Sequence, residues 1–339
     1  MKTHFTLICL ISGLLFCFVS CKPSDGQKKR RIVASKGLPS ELLLVVDKQV
    51  LQSDLSDSLK ELTQGPVPAL MQHEEFFRVL RIPSSAYTQK YTTMHSKLFV
   101  NLDPSLGKAM LGVAYNVVAR PQIELTVAAP TLSSLRSFIS QNATVIRNYI
   151  SDFQLDMRSN GLRRKYNSKV DSLLKQTLGY SIFVPNELQY VKQGTQFLWA
   201  GTNLNEKDLN VVVYSFPWTG ENVFCADFFT AKRDSVMKIN IPGSSEEQWM
   251  QTTRFEGVPV LQSCVIGHAG KRVYKVNGLW EMRNGAFGGP FVSYVQVDSV
   301  AAEVVVSEGF VYSPSTEKRE LLRNVEASLR TLKKVKSYD

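Results

Sequence analysis

The sequence predicts an α+β protein of two lobes, in which helices pack on mainly antiparallel sheets. Three observations lead to this class. Short apolar segments with strand periodicity follow one another in both halves of the 339-residue chain. A long region from Leu132 to Leu178 carries apolar residues at helical spacing and separates these halves. A last amphipathic helix is predicted after Ser313-Pro314, with the proline at its first position. Runs of adjacent strands combined with such helices are typical of α+β folds.

The first lobe is predicted over residues 39–160, with elements that end at Pro, Gly or Asp-Pro turns. Its predicted strands are Glu41 to Asp47, Phe76 to Ile82, Lys97 to Leu102, Ala109 to Val118 and Gln122 to Ala128, and its predicted short helices are Asp54 to Thr63 and Ser84 to Thr93. The long helix that follows is interrupted at Asn160-Gly161, and its second segment ends at Gly179, a candidate C-cap.

The second lobe is predicted over residues 161–335. Its predicted strands are Tyr180 to Pro185, Phe197 to Ala200, Leu209 to Phe216, Val258 to Ile266, Arg272 to Met282, Phe291 to Val297 and Glu303 to Tyr312. One more helix is predicted from Thr219 through Arg233. The order of elements loosely resembles the α/β/α sandwich of Mog1 and PsbP-type proteins, which implies a sheet with helices on both faces.

The formal charge of +10 first suggests a polyanionic partner. However, Arg163-Arg164-Lys165 and Lys333-Lys334 lie on or at the ends of predicted helices, where a solvated face explains them. No aromatic-basic RNA-binding signature and no zinc-finger spacing is present in the sequence. We therefore expect no nucleic-acid partner.

The N-terminal residues are typical of a secretion signal. A short basic start is followed by the almost continuously apolar stretch from Phe5 to Val19, which is typical of a signal peptide over residues 1–20. The stretch Val19-Ser20-Cys21 resembles a bacterial lipobox, with Phe18 where leucine is more usual. The resemblance implies that Cys21 is the lipid attachment point and that the membrane is a partner through this anchor. The alternative is a plain secretory signal, but the residues before Cys21 lack an A-x-A-like cleavage site. Residues 21–38 are predicted to be a flexible basic tether.

Several stretches of the second half resemble an uncharacterised, domain-of-unknown-function family of Bacteroidetes lipoproteins. These are Gly278-Leu-Trp-Glu281, Gly288-Gly-Pro-Phe-Val-Ser-Tyr294, Glu308-Gly-Phe-Val-Tyr312 and Lys318-Arg319-Glu320. The resemblance implies a lipoprotein of the bacterial outer membrane and supplies no catalytic residue. Since the tether is basic and lacks an acidic patch after Cys21, we expect the periplasmic face rather than the cell surface.

The most unusual stretch of the body is Asn284-Gly-Ala-Phe-Gly-Gly-Pro290. A glycine-rich loop can bind phosphate through backbone amides, but no Gly-Lys-Ser/Thr ending follows here. The alternative is a hairpin connection, where glycine permits positive φ. The candidate cleft or loop residues are Trp280, Gly285, Gly288, Gly289 and Tyr294.

Compact catalytic and metal-binding motifs are missing from the sequence. His73, His95 and His268 form no His-x-x-x-His pair, and there is neither a Cys-x-x-Cys nor a Gly-x-Ser-x-Gly motif. Cys264 and His268 on one strand would be about 13 Å apart, too far for a nucleophile and its base. We therefore predict no catalytic residue, no metal and no cofactor.

The body of the chain has two cysteines, Cys225 and Cys264. In an oxidising periplasm they could form a disulfide, which would stabilise the fold by roughly 3–4 kcal/mol in the loop-entropy model. The alternative is two buried free thiols. The sequence does not decide between them.

The sequence therefore predicts a non-catalytic, lipid-anchored envelope protein that binds or scaffolds an unknown envelope protein or ligand. The alternative is an envelope hydrolase with a dispersed active site. A deep pocket with converging groups of shifted pKa would favour the enzyme.

Overall fold

The structure is a computed structural model that describes residues 33–335. From Val33 onward the chain forms one compact unit, and this unit contains a five-stranded and an eight-stranded sheet. The α+β class with mostly antiparallel pairing is confirmed. The signal peptide, Cys21 and most of the predicted tether lie outside the described residues, and the proposed division into two lobes stays a prediction.

Six helices occur in the described part of the chain, and two short 3₁₀ helices accompany them. The helices are α1 (Lys48–Leu51), α2 (Leu55–Gln64), α3 (Leu132–Leu162), α4 (Ser168–Leu178), α5 (Ala226–Asn240) and α6 (Arg319–Leu329), and the 3₁₀ helices are Ser84–Ala86 and Gln89–Tyr91.

The strands range from two to twelve residues. In chain order they are β1 (Val33–Ala34), β2 (Glu41–Val46), β3 (Arg78–Pro83), β4 (Ser96–Leu102), β5 (Met110–Tyr115), β6 (Ala119–Arg120), β7 (Ile123–Ala129), β8 (Tyr180–Ser181), β9 (Tyr190–Gly194), β10 (Phe197–Gly201), β11 (Asp208–Pro217), β12 (Met250–Thr252), β13 (Arg254–Phe255), β14 (Val258–Pro259), β15 (Leu261–His268), β16 (Lys271–Met282), β17 (Gly288–Asp298), β18 (Glu303–Tyr312) and β19 (Lys333–Lys334).

The five-stranded sheet has the order β3-β2-β4-β7-β5. Only β5 runs antiparallel to its neighbour β7; the other three pairings are parallel. This sheet therefore differs from the antiparallel arrangement expected for the first lobe. Helices α2 and α3 cover one face, where Leu59 and Ile146 are fully buried. The long apolar stripe of α3 belongs to this core. Its burial offsets the entropy cost of ordering the helix.

The eight-stranded sheet is antiparallel throughout and has the order β12-β16-β17-β18-β11-β10-β9, with β15 also paired to β16. Its strands contain successive buried residues, because both faces are covered. Helices α4 and α6 pack on one face through Leu174 and Val325. Helix α5 packs on the other face through Phe229 and Met237. This matches the helix-covered sheet that the sequence implies.

Helices α3 and α6 join the two sheets side by side. Arg330 donates to Asp152 at 3.0 Å and to Asp156 at 2.9 Å. The buried hydroxyl of Ser159 donates to the Ala327 carbonyl at 2.8 Å. At the start of α6 the Glu74 carboxylate accepts the backbone N–H of Lys318 at 2.7 Å and of Arg319 at 2.8 Å. The bonds of Arg330 and Ser159 fix the relative position of α3 and α6, and those of Glu74 attach the start of α6 to the loop after α2.

Several predicted elements differ from the structure. The helix expected from Ser84 to Thr93 is replaced by two short 3₁₀ helices, and the strand expected from Val258 to Ile266 is divided into β14 and β15. The helix expected from Thr219 begins only at Ala226, since the Thr219 backbone N–H and hydroxyl both bind the Glu221 carboxylate. The last helix begins at Arg319 rather than Pro314, because Glu74 supplies the acceptor for the backbone N–H groups at Lys318 and Arg319. The predicted strand from Tyr180 is limited to Tyr180–Ser181.

Candidate functional site

The glycine-rich stretch lies at the connection between β16 and β17, which are antiparallel neighbours. Gly285 lies in the turn, and Gly288 and Gly289 begin β17. A Cβ atom on Gly289 would lie 2.1 Å from the Val311 carbonyl oxygen, so only glycine allows this approach of backbones. The stretch is a hairpin whose glycines serve close strand packing, and the phosphate-loop interpretation has no support in this geometry.

Trp280 and Tyr294 do not line a common cleft, so this part of the sequence-based prediction is wrong. Trp280 is 5% exposed and belongs to the core under α5, where its Nε1 donates to the Val311 carbonyl at 3.3 Å. Tyr294 is fully buried in the core under α4 and α6. Because side chains alternate along a strand, the two residues project to opposite faces of the sheet.

Both cysteines are free thiols in the structure. Cys225 is half-buried and precedes α5, whereas Cys264 is exposed on β15. The geometry thus corresponds to the two-thiol alternative, with the correction that neither thiol is buried.

A cleft of about 370 Å³ lies where α3, α6 and the β15–β16 edge meet. Its walls come from residues 144–152 of α3, residues 262–266 and 275–277 of the two strands, residues 319–326 of α6 and the loop that contains Val67 and Phe76. Sequence reasoning missed this cleft because its walls are far apart in the chain.

The cleft contains more positive than negative charge. Its lining includes four cations and two carboxylates, namely Arg147, Lys275, Arg319 and Arg323 with Asp152 and Glu326. Most of these groups are paired. Asp152 binds Arg330, Glu326 binds Lys275, and Arg319 binds Glu320.

Arg147 and Arg323 are the two cleft cations that form no ion pair with a carboxylate of residues 33–335. Both guanidinium groups lie over the same ring, that of Phe76, at 5.1 Å and 5.0 Å from its centroid. The negative face of an aromatic ring attracts cations, but it does not replace a counterion. Two guanidinium groups that lack an ion-pair partner therefore adjoin one aromatic ring.

Neutral acceptors hold these two arginines in position. Arg147 donates from Nε to the Leu62 carbonyl at 3.1 Å and from Nη2 to the Glu61 carbonyl at 3.2 Å, near the C-terminus of α2. Arg323 donates from Nη1 to the Gln154 side chain at 3.0 Å. Carbonyl and amide oxygens orient a guanidinium group and leave its charge intact. These hydrogen bonds thus hold both side chains in place without a carboxylate partner.

Burial makes these charges costly. It lowers the pKa of the Arg323 guanidinium to about 10, against the attraction of Glu326, which acts from beyond ion-pair distance. Burial likewise lowers the pKa of Arg147, against the attraction of Glu61. Both groups stay cationic at neutral pH, because a pKa of about 10 for Arg323 lies well above it and an arginine side chain does not lose its proton in proteins. An anion bound in the cleft that both residues line would offset the desolvation cost.

The opposite wall is a fixed polar network. Burial raises the pKa of the Glu326 carboxyl, but the Lys275 ammonium outweighs this effect and holds the pKa below its ordinary value. The Tyr294 hydroxyl also donates to Glu326 at 3.1 Å. Burial, followed by the charge of Glu326, raises the pKa of Tyr294 well above its ordinary value. Glu326 is therefore ionised and Tyr294 neutral at neutral pH.

The three histidines among residues 33–335 lie away from this cleft lining. His268 contacts the Arg330 carbonyl at 2.9 Å through Nε2, so it is not directed at Cys264. His95 is buried beneath the start of β2, and His73 lies near the end of α2. Within residues 33–335, no group of three or more His, Cys, Asp or Glu side chains could hold a metal ion. None of the helices described here is both long and apolar enough to cross a membrane.

A pattern in α6 could have pointed to the cleft. Arg319, Arg323, Glu326 and Arg330 recur at spacings of three or four residues beside the apolar stripe of Leu322, Val325 and Leu329. Such a charged row normally indicates a solvated face. Here it is buried against α3, which the sequence alone does not reveal.

Comparison with known families gives two matches. Residues 35–162 match a domain of unknown function, DUF8532, and residues 167–331 match another domain of unknown function, DUF4837. These matches confirm the predicted resemblance to an uncharacterised family, while the Bacteroidetes origin and the lipid anchor remain predictions. The cleft takes Arg147 from the first matched segment and Arg323 from the second. No curated protein matches the chain.

Two solved structures are among those that are similar to part of this chain. A crystal structure from Bacteroides thetaiotaomicron VPI-5482 has 8% sequence identity and a TM-score of 0.26, covering 48% of this chain and 47% of that one. This chain thus spans about half the length of that protein. The Saccharomyces cerevisiae Ran-binding protein Mog1p has 11% identity and a TM-score of 0.30, covering 47% of this chain and 92% of that one.

Proposed function

We propose that this chain, which joins two domains of unknown function, is a non-catalytic envelope protein that binds an anionic ligand in its cleft. A lipid on Cys21 holds it at the outer membrane, facing the periplasm. The ligand carries carboxylate or phosphate groups and is bound by residues of both matched segments.

The observation that carries this proposal is the position of Arg147 and Arg323 over Phe76. Guanidinium groups present planar donors that suit carboxylate and phosphate oxygens. The other four charged residues of the cleft lining already have partners in the described part of the chain. A bound anion would complete the charge balance of the cleft.

The alternative hydrolase reading receives less support from the cleft. The cleft does contain groups of shifted pKa, which is the feature expected of an enzyme. The shifts, however, leave the arginines cationic and Glu326 anionic at neutral pH. General acid–base catalysis needs a group that gains and loses a proton near the working pH. Fixed charges of this kind suit binding.

Citrate is a suitable probe for the proposed site, because it is a compact polyanion. Titration calorimetry should be run with the purified chain at low ionic strength, and repeated with added sodium chloride. We expect binding that weakens with salt. Asn148→Glu adds a negative charge at an exposed position of the cleft wall. It should weaken citrate binding about tenfold, which corresponds to roughly 1.4 kcal/mol.

Gln141→Glu is the matched control, since Gln141 is exposed on the same helix and is absent from the cleft lining. It adds the same charge and should leave citrate affinity within about twofold, because screening weakens distant surface charges. Equal weakening by both variants, or no binding to the unchanged protein, would contradict the proposal.

A further inference from the structure

The strand beside the cleft is an open edge of the eight-stranded sheet. Strand β15 pairs with β16 along Leu261–His268 and has no second strand neighbour within residues 33–335. In an antiparallel pair, about half of the backbone N–H and C=O groups of an edge strand point away from its partner. No described group outside β16 bonds to the backbone of β15. These outward groups are available to a further strand.

Strand β15 also lacks the features that commonly protect an edge. Its sequence, LQSCVIGH, contains no Lys, Arg, Asp, Glu or Pro. The opposite edge of the sheet, β9, carries Lys192, which donates to the Asn240 carbonyl at 2.7 Å. The edge β3 of the other sheet contains Arg78 and Arg81 and ends at Pro83. Exposure is high along β15, including Cys264 and Val265.

The open edge and the unpaired cations border the same cleft. Gln262, Cys264 and Ile266 alternate along β15 and line the cleft together with Arg147 and Arg323. Alternate residues of a strand share one face. A strand added to β15 would therefore direct every second side chain toward this side of the sheet.

We propose that the anionic ligand of the cleft is an extended segment of another protein, which adds to β15 as a further strand. An acidic side chain of that segment enters the cleft and binds Arg147 and Arg323. Backbone hydrogen bonds supply affinity in this mode of recognition, and side-chain pockets supply specificity. This inference rests on the proposed function, because it requires the same two arginines.

Charge favours this occupant over a second copy of the chain. Strand β15 is uncharged, so β15 of a second copy would pair with the edge but bring no carboxylate to the cleft. A free small anion would neutralise the arginines but leave the outward backbone groups of β15 to water. An acidic extended segment satisfies both sets of groups.

The test starts from a phage-displayed library of random dodecapeptides, selected on the immobilised chain. We expect enriched sequences in which every second residue is β-branched, except that one of these alternate positions is Asp or Glu. The best peptide is then synthesised. Replacing its acidic residue by the amide should weaken binding at least about tenfold, as should Asn148→Glu, whereas Gln141→Glu should not.

N-methylation of the peptide separates backbone pairing from side-chain binding. Methyl groups on one alternate set of amides should abolish binding, and methyl groups on the other set should not, because only one set faces β15. Bound peptide should also slow alkylation of Cys264 at least about tenfold relative to Cys225, which lies outside the cleft lining.

The outcomes are distinct. If citrate binds but no acidic, alternating peptide is enriched, or if both methylated sets bind equally, the strand-addition inference is wrong while the anion site stands. If the chain forms a dimer that peptide disrupts and Asn148→Glu does not affect, the occupant is a second copy and the inference is also wrong. If neither citrate nor peptide binds, the proposed function fails as well.

Discussion

Arg147 of α3 and Arg323 of α6 lie over the same aromatic ring, that of Phe76, at 5.1 Å and 5.0 Å from its centroid. The other four charged residues of the cleft lining are paired, so the two arginines mark a place where the fold maintains positive charge without an ion-pair partner. Buried charges without a partner are costly, and departures of this kind are expected at functional or strained sites. We interpret this pair as the centre of the binding site.

A first prediction concerns the stability cost of the site. Arg323→Met removes a buried cation that has no carboxylate partner but keeps a side chain of similar length. We expect the free energy of unfolding to fall by less than about 1 kcal/mol, or to rise, because an apolar residue avoids the desolvation cost. The same variant should lose citrate binding. Urea denaturation and calorimetry measure the two effects, and a loss of several kcal/mol in stability would show that Arg323 is structural.

A second prediction concerns a buried ion pair under α5. Arg233 donates to Glu308 through Nε at 2.9 Å and through Nη2 at 2.7 Å, and both side chains are fully buried. Glu308→Gln removes the bidentate partner and leaves the buried guanidinium with one longer ion pair, to Asp234 at 3.6 Å from Nη1, so we expect a loss of about 3–5 kcal/mol in the free energy of unfolding. Asp54→Asn, which breaks the exposed pair with Arg136, should change stability little. Similar urea midpoints for both variants would contradict this account.

A third prediction concerns pH. Burial lowers the pKa of His95, against its bond to the Leu38 carbonyl and the attraction of Glu41, while Arg158 lowers it further. The unfolded chain therefore binds more protons at this site as pH falls through the ordinary histidine range near 6.5. The folded protein should lose stability on acidification from pH 7.5 to 5.5.

Thermal unfolding of the protein and of His95→Gln over this pH range tests the assignment. The variant should show a smaller decrease in Tm on acidification, because it lacks the group that titrates. Parallel curves for the two proteins would assign the pH dependence to other groups.

A fourth prediction concerns the thiols. Since Cys225 and Cys264 are both free in the structure, iodoacetamide without reductant should add two carbamidomethyl groups to the mature chain, apart from a lipid-bearing Cys21. Cys264 should react first, because it is exposed whereas Cys225 is half-buried. Intact mass measures the outcome. Two alkylations that appear only after reduction would instead indicate the disulfide.

A fifth prediction concerns the proposed anchor. Detergent phase partition of the chain expressed with its signal sequence in a bacterium should place it in the detergent phase. Cys21→Ala should shift it to the aqueous phase. Cys17 lies within the predicted signal peptide, so Cys17→Ala is the control that should not. Protease treatment of intact and lysed cells then tests the periplasmic orientation: digestion in intact cells would contradict it.

Local sequence signals were sufficient for much of the fold. Alternating apolar residues predicted β16, β17 and β18. Helix α3 ends close to the predicted interruption at Asn160-Gly161. Gly179 adopts the left-handed conformation after α4, as expected of a C-cap residue. The start of α6 was mispredicted because its N-terminal acceptor, Glu74, comes from a distant part of the chain. The parallel pairing of β2 with β4 is likewise a long-range feature.

The candidate site was less accessible to sequence reasoning. Trp280 and the glycines of the β16–β17 hairpin were predicted to form a cleft or loop site, but they serve strand packing. In the sequence, Arg147 is one polar residue of a helix with an apolar stripe. It indicates a binding site only because Arg323 and Phe76 lie close to it in space. A site built from isolated residues on separate elements leaves no compact motif.

The most direct test of the central claim is a crystal structure of the chain grown in citrate. We predict citrate in the cleft, with carboxylate oxygens within hydrogen-bond distance of the guanidinium groups of both Arg147 and Arg323. An empty cleft in crystals that contain citrate elsewhere on the surface would contradict the account.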